Sequence, residues 1–313
     1  MILRIANSTK QNPTQNANKK THNPIIGTGP AGLTTAIQLK RYNLKPILLE
    51  KDSIGGLLRN ANLVENYPGF PNGISGLKLI SLFEKQMRQT GVVVTFDEVT
   101  DVDFDGLEFE VTAKRNTYYA PCLIIASGTK PKPFPIEISA QAKERIFSEV
   151  WPLLAMKNKH IAIIGAGDAA FDFALNLAKK NAVTILNRSS ETSCLPLLWE
   201  RAQKMPRIRY LAETTVSGVE ADETGSRLRV ACVRRDSNAA FDCDFVIFAI
   251  GREPQMDFLS ERVKLQAPAL IESGKLYFVG DVHNGPFRQT AIAAGDGLRA
   301  AMQIYERTRG SSS

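Results

Sequence analysis

Two glycine-rich hexads hold the residues best suited to chemistry, Gly27-Thr28-Gly29-Pro30-Ala31-Gly32 and Gly165-Ala166-Gly167-Asp168-Ala169-Ala170. In such a turn the first glycine takes the tight bend and the second leaves the backbone bare for a pyrophosphate. The third position, where alanine is an accepted variant, lets a helix pack closely on the preceding strand. The helix N–H groups and dipole then hold the phosphates. A lone G-x-G-x-x-G is a weak signal, so the surroundings decide. Each hexad follows an apolar stretch, Pro24-Ile25-Ile26 or Ile161-Ala162-Ile163-Ile164, and precedes a helical pattern over 34–42 or 171–180. Each pattern then reaches a second apolar strand, 46–50 or 183–186. The chain therefore encodes one dinucleotide-binding βαβ unit twice.

The two units end differently. Glu50 closes the second strand of the first unit, where an acid accepts hydrogen bonds from ribose hydroxyls. The matching strand of the second unit ends in Asn187-Arg188-Ser189-Ser190, with no acid to repel a 2′-phosphate. Arg188 is either a partner for that phosphate, which favours NADPH while leaving NADH open, or a solvated charge at a strand end.

Two further stretches repeat one another. Residues 123–131 and 246–254 each read as a buried strand running into glycine, a basic residue and proline. Both follow β-rich segments, 92–111 and 228–233. The pattern predicts an α/β fold of two Rossmann-like, three-layer nucleotide-binding domains, the second inserted in the first. The first comprises 24–130 and 253–313, closed by a strand ending in Gly280-Asp281 and a helix over 289–306. The second comprises 131–252, and residues 1–23 form a disordered leader. That leader is rich in Asn, Lys, Thr and Gln and carries Arg4, Lys10, Lys19 and Lys20 with no acid, a composition read as a tail or an organellar targeting signal.

The leader also explains much of the charge. Of the formal +7, four charges lie in it, so +3 remains for the rest and gives little reason to expect a nucleic-acid partner. No apolar run approaches the roughly 20 residues that span a bilayer. Cys122, Cys194, Cys232 and Cys243 are too few and scattered for a secreted disulfide scaffold, and none has metal-ligand spacing. A cytoplasmic protein that binds no metal or membrane is expected. If residues 236–239 turn a hairpin, Cys232 and Cys243 stand opposite one another, either as a cross-strand disulfide or as two small buried residues. His22, His160 and His283 are isolated; His283 alone lies near the candidate site. Hydride transfer needs alignment and exclusion of water, not a general base, so no catalytic side chain is nominated.

These features together resemble the low-molecular-weight thioredoxin reductase family. The matching residues are Gly27 to Gly32, Gly55-Gly56-Leu57, Val64-Glu65-Asn66-Tyr67-Pro68-Gly69, Ala126-Ser127-Gly128, Gly165 to Ala170, Gly251-Arg252-Glu253-Pro254, Gly280-Asp281-Val282 and Arg288-Gln289. The resemblance implies FAD in the first domain, NADPH in the second, a homodimer, and domains that rotate against each other. It assigns to FAD the residues Gly27, Gly29, Pro30, Ala31, Gly32, Glu50, Lys51, Gly56, Leu57, Asn66 and Val99. Ala126, Ser127, Gly128, Gly280 and Asp281 join them, with Arg288, Gln289 and Thr290 at a helix start facing the flavin ring. To the nicotinamide nucleotide it assigns Gly165, Gly167, Asp168, Ala169, Arg188, Ile250, Gly251 and Arg252.

One departure changes the expected output. Members that reduce thioredoxin place a Cys-x-x-Cys roughly 15 residues before the second glycine loop, and here residues 147–152 read Phe-Ser-Glu-Val-Trp-Pro. Without a dithiol beside the flavin, hydride has no route to a thiol pair. Two classes of function follow. One is an oxidoreductase delivering electrons to a non-dithiol acceptor such as ferredoxin, flavodoxin, quinone or oxygen, with an acidic electron-carrier protein among the expected partners. The aromatic C-terminal extension of ferredoxin and flavodoxin reductases of this fold is not expected after Glu306. The other is a flavin-bound redox sensor without turnover. Trp151 and Phe147 either stack near the flavin or pack between domains.

Overall fold

The computed structural model describes residues 18–20, 23–235 and 237–310. Its first parallel sheet has strands in the order Leu276–Phe278, Leu123–Ile125, Asn23–Ile26, Pro46–Glu50, Val94–Phe96. Side chains along a strand alternate between faces, and this sheet is apolar on both. Ile25, Leu48 and Ile124 face the helices Pro30–Arg41 and Thr290–Gly310, whereas Ile26, Leu49 and Ile125 face an antiparallel meander, Val99–Phe104, Phe109–Ala113 and Thr117–Ala120. Helix, sheet and meander make three layers.

The second sheet repeats the design in the order Ile146–Phe147, Phe245–Phe248, His160–Ile164, Ala182–Leu186, Ile208–Leu211, all parallel. Ile161, Ile163 and Ile185 pack with helices Asp168–Leu177 and Pro196–Gln203. Ala162, Leu186 and Val246 pack with the antiparallel strands Thr214–Ala221, Leu228–Arg234 and Ser237–Cys243. The chain leaves the first sheet after Ile125 and rejoins it at Leu276, so the second Rossmann-like domain is inserted in the first. The two crossings lie side by side, Thr129–Pro131 pairing antiparallel with Arg252–Pro254.

Two expectations are corrected. The stretch expected to be a disordered leader contains a strand, Asn18–Lys20, which pairs parallel with Thr117–Tyr119, and Asn23 already belongs to the central sheet. Residues 1–17 and 21–22 lie outside the described residues. The cysteine hairpin turns earlier than expected, with Arg234 opposite Ser237, so Cys232 faces Ala239 and Cys243 faces Leu228. Both thiols are free and buried in the core of the second domain.

Candidate nucleotide site

Both glycine loops open into one cavity of about 1600 Å³. Their helices begin without help from any side chain: Gly29 and Gly167 occupy the N-cap positions and neither helix has a side-chain cap. Helices Gly76–Gln89 and Glu261–Glu272 are instead capped by Ser75 and Ser260. The uncapped first turns leave N–H groups for a ligand. A side chain on Gly27 (φ 106°) would place its Cβ 2.4 Å from the Ala126 carbonyl oxygen, and one on Gly165 (φ 120°) would lie 2.3 Å from that of Ala249. No atom lies within 4 Å of a Cβ built on Gly29. The middle glycine is thus open where phosphate would approach.

The cavity wall brings together nearly all the residues nominated from sequence. Gly27, Gly29, Pro30, Ala31, Glu50, Lys51, Gly56, Leu57, Asn66, Val99 and Ala126 to Gly128 line it, as do Asp281 and Arg288 to Thr290. So do Gly165, Gly167, Asp168, Ala169, Arg188 and Ile250 to Arg252. Gly32 and Gly280 do not line it. They stand behind the wall, where a Cβ would meet the Gly27 carbonyl oxygen at 2.0 Å and the Ala31 Cβ at 2.8 Å, so their smallness serves helix packing. His283 is also outside the cavity lining and lies near-parallel to Phe278. Phe147 packs edge-on against Phe245 in the second domain's core, leaving Trp151 as the member of that pair that reaches the cavity.

Several wall residues are already tied in place. One Glu50 oxygen accepts from the Thr28 backbone N–H (3.0 Å) and hydroxyl (2.5 Å), the other from the N–H groups of Lys51 and Asp52. Asn66 donates to the Gln289 side chain at 2.9 Å, and Asp168 accepts from the Leu195 N–H at 2.7 Å. Asp281 differs. Burial pushes its carboxyl up, the cations of Arg288 and Arg252 pull it down, and it accepts no hydrogen bond among the described residues. The Nε of Arg288 is likewise buried without a partner. Arg288 spends one donor on the Arg252 carbonyl oxygen (3.2 Å), and the hydrogen-bonding capacity that its Nε and the Asp281 carboxylate keep suits a polar ligand.

A second set of contacts, which the motifs gave no hint of, joins the two domains across this cavity. Asn60, almost fully buried, accepts from the Trp151 N–H (3.2 Å) and donates to Glu149 (3.3 Å). Glu149 in turn lies 3.6 Å from the guanidinium of Arg252, whose own charge burial disfavours. Arg59 stands over the Trp151 ring at 5.1 Å, Lys179 donates to the Asn62 side chain, and Arg201 grips Glu65 with two bonds of 2.6 and 2.8 Å. Asp172 accepts from the Asn62 N–H at 2.8 Å, and burial pushes its carboxyl up to about 6.

The Asp172 shift has a signed consequence. A carboxyl raised from its ordinary value near 4 to about 6 favours the folded state below that range and loses this contribution as it ionises on rising pH. Asp172→Asn removes the ionisation and keeps an amide oxygen for Asn62. Relative to the parent, the variant gains stability as pH rises, by about 1–2 kcal/mol between roughly pH 5 and pH 8. Urea unfolding at the two pH values measures this, and a pH-independent difference contradicts it.

Residues 22–297 match the model of the family described as pyridine nucleotide-disulphide oxidoreductase. The chain belongs to this family. Among its relatives, the mitochondrial thioredoxin reductase 1 of Arabidopsis thaliana is 31% identical over 314 residues, covering 90% of this chain and 83% of the relative. The thioredoxin reductase of Chlamydia pneumoniae is 29% identical over 299 residues, covering 89% and 96%. The crystal structure of Lactococcus lactis thioredoxin reductase in the FR conformation superposes with a TM-score of 0.80 at 25% identity, covering 91% of this chain and 98% of that one. The chain is therefore an FAD-dependent oxidoreductase of thioredoxin reductase fold, in a family whose cofactors are FAD and NADPH. The uncapped glycine turns, the open Gly29, the Asp281 carboxylate and the partnerless Arg288 Nε fit such ligands. Among the described residues, no helix is long and apolar enough to cross a membrane.

Proposed function

We propose that this chain oxidises NAD(P)H through FAD and passes the electrons to an acceptor other than a dithiol, such as ferredoxin, flavodoxin, a quinone or oxygen. One observation carries the reading: none of the residues that line the shared cavity is a cysteine, and Ser148, Glu149 and Trp151 line it from the segment where a dithiol would stand. Three of the four thiols are poor substitutes. Burial pushes Cys122 and Cys243 up to about 12 and raises Cys232, so their nucleophilic thiolates are scarce at neutral pH.

Bound FAD supplies the hydride chemistry; the protein supplies position and charge. In this reading the residues named above divide as the sequence suggested. The Gly27 turn, Glu50, Gly56 and Asp281 hold FAD, with Asn66, Arg288, Gln289 and Thr290 toward its ring. The Gly165 turn, Ile250, Gly251 and Arg252 hold the nicotinamide nucleotide. Arg188, exposed on the wall, meets the 2′-phosphate of NADPH. A homodimer belongs to the same reading, for the long closing helix leaves Ile292, Leu298 and Met302 on its exposed side.

Anaerobic stopped-flow mixing with NADPH and with NADH tests it. The flavin band should bleach, faster with NADPH, and turnover with non-thiol acceptors should survive prior alkylation of the cysteines. Reduction of thioredoxin or another disulfide that alkylation abolishes would overturn the reading, and no bleaching by either nucleotide would favour a sensor.

A further inference from the structure

The acceptor can be narrowed from the shape of the wall that replaces the dithiol. Trp151 is 41% exposed, a large area for an indole at the wall of a cavity. Its position is fixed. The backbone N–H is held by Asn60, and the Arg59 guanidinium over the ring is itself pinned by the carbonyl oxygens of Gly56 (3.1 Å) and Ile54 (2.8 Å). Leu63, Leu195 and Leu197 line the same cavity and are exposed. A rigid aromatic shelf in a cavity that exposed leucines also line exacts little ordering cost from a flat apolar guest. A protein carrier, by contrast, presents its own surface and cannot lie flat on a ring inside a cavity.

We infer that the exposed face of Trp151 is the stacking platform for a planar quinone acceptor. The inference rests on the proposed oxidoreductase function and names the substrate class of that same site. The overall step is NADPH + H⁺ + quinone → NADP⁺ + quinol. The nicotinamide C–H bond breaks and its two electrons and one proton leave as hydride, solvent supplies the second proton, and both quinone oxygens become hydroxyls. Trp151 orients the acceptor and exchanges no electron or proton itself.

The test compares Trp151→Ala and Trp151→Phe with the parent, using 2-methyl-1,4-naphthoquinone as probe and ferricyanide as an oxidant that does not stack. Flavin content is first matched by absorbance. Aromatic stacking of this kind predicts a KM for the naphthoquinone about 3- to 10-fold higher in Trp151→Ala, with Trp151→Phe restoring most of it. The quinone KM should rise relative to that of ferricyanide on the same preparation. An unchanged quinone KM, or an equal rise for both oxidants, overturns the platform while leaving the oxidoreductase reading standing. Failure of both NADPH and NADH to bleach the flavin of the parent protein overturns both.

Discussion

Gly27→Ala is expected to yield protein with little or no flavin, whereas Gly165→Ala should retain its flavin and lose the ability to have it reduced by NADPH. The two substitutions are matched in geometry. Each forces a Cβ into positive φ, at 106° or 120°, and against the carbonyl oxygen at the end of the adjacent strand, Ala126 or Ala249. A strained left-handed residue costs about 1–3 kcal/mol before the clash is counted, so the turn must open and its N–H groups move off the phosphate. A loss of 3 kcal/mol is about 150-fold in affinity, enough to empty a site during purification. Absorbance near the flavin bands reports the first variant and anaerobic NADPH titration the second. The pairing separates the two loops: if Gly165→Ala loses flavin while Gly27→Ala keeps it, the assignment of nucleotides to domains is reversed.

The second large effect is expected at Asn60. Asn60→Ala removes a hydrogen bond accepted from Trp151 and one donated to Glu149, both bridging the domains, and leaves the Trp151 N–H without that partner. Losses of this kind sum to about 2–4 kcal/mol, which weakens docking of the domains about 30-fold or more. Because these bonds join the domains beside the cavity into which both glycine loops open, the rate of flavin bleaching at saturating NADPH should fall by about tenfold or more, with flavin content unchanged. A rate equal to the parent's would show that Asn60 does not hold the productive arrangement. The exposed Arg201–Glu65 pair, solvated at the rim, should matter less despite its shorter bonds.

Much of this site was legible because its residues obey rules that operate along the chain. A phosphate turn needs glycine at fixed spacing, and a buried parallel strand needs an unbroken apolar run, so both βαβ units could be read directly. Gly280 shows the limit of that reading: spacing marks a small residue, but only the fold shows that it sits behind the wall against Ala31, whereas Gly32 packs helix on turn as its place in the motif implies. The disulfide alternative for Cys232 and Cys243 failed through a hairpin register, which a few residues of loop decide. Asn60, Glu149 and Arg201 were missed because nothing local marks a residue that acts on a partner some 90 to 136 positions away. Asp172 left a trace, an acid within the otherwise apolar helical run Phe171 to Leu177 apart from Asn176. Its cause became visible only with the Asn62 amide beside it.

The return of the chain to its first sheet sets an order for synthesis. When Phe248 has left the ribosome, every strand of the second parallel sheet exists, and that domain has all it needs to close. The first domain, though begun earlier, still lacks Leu276–Phe278 beside Leu123–Ile125 and the helix Thr290–Gly310 over Ala31, Leu33 and Ala36. Until the last turns of that helix emerge, one edge of the older sheet and the apolar side of its first helix stay bare. That interval is when the nascent chain is most open to capture by chaperones and to aggregation. The half of the molecule that starts first is the half that finishes last.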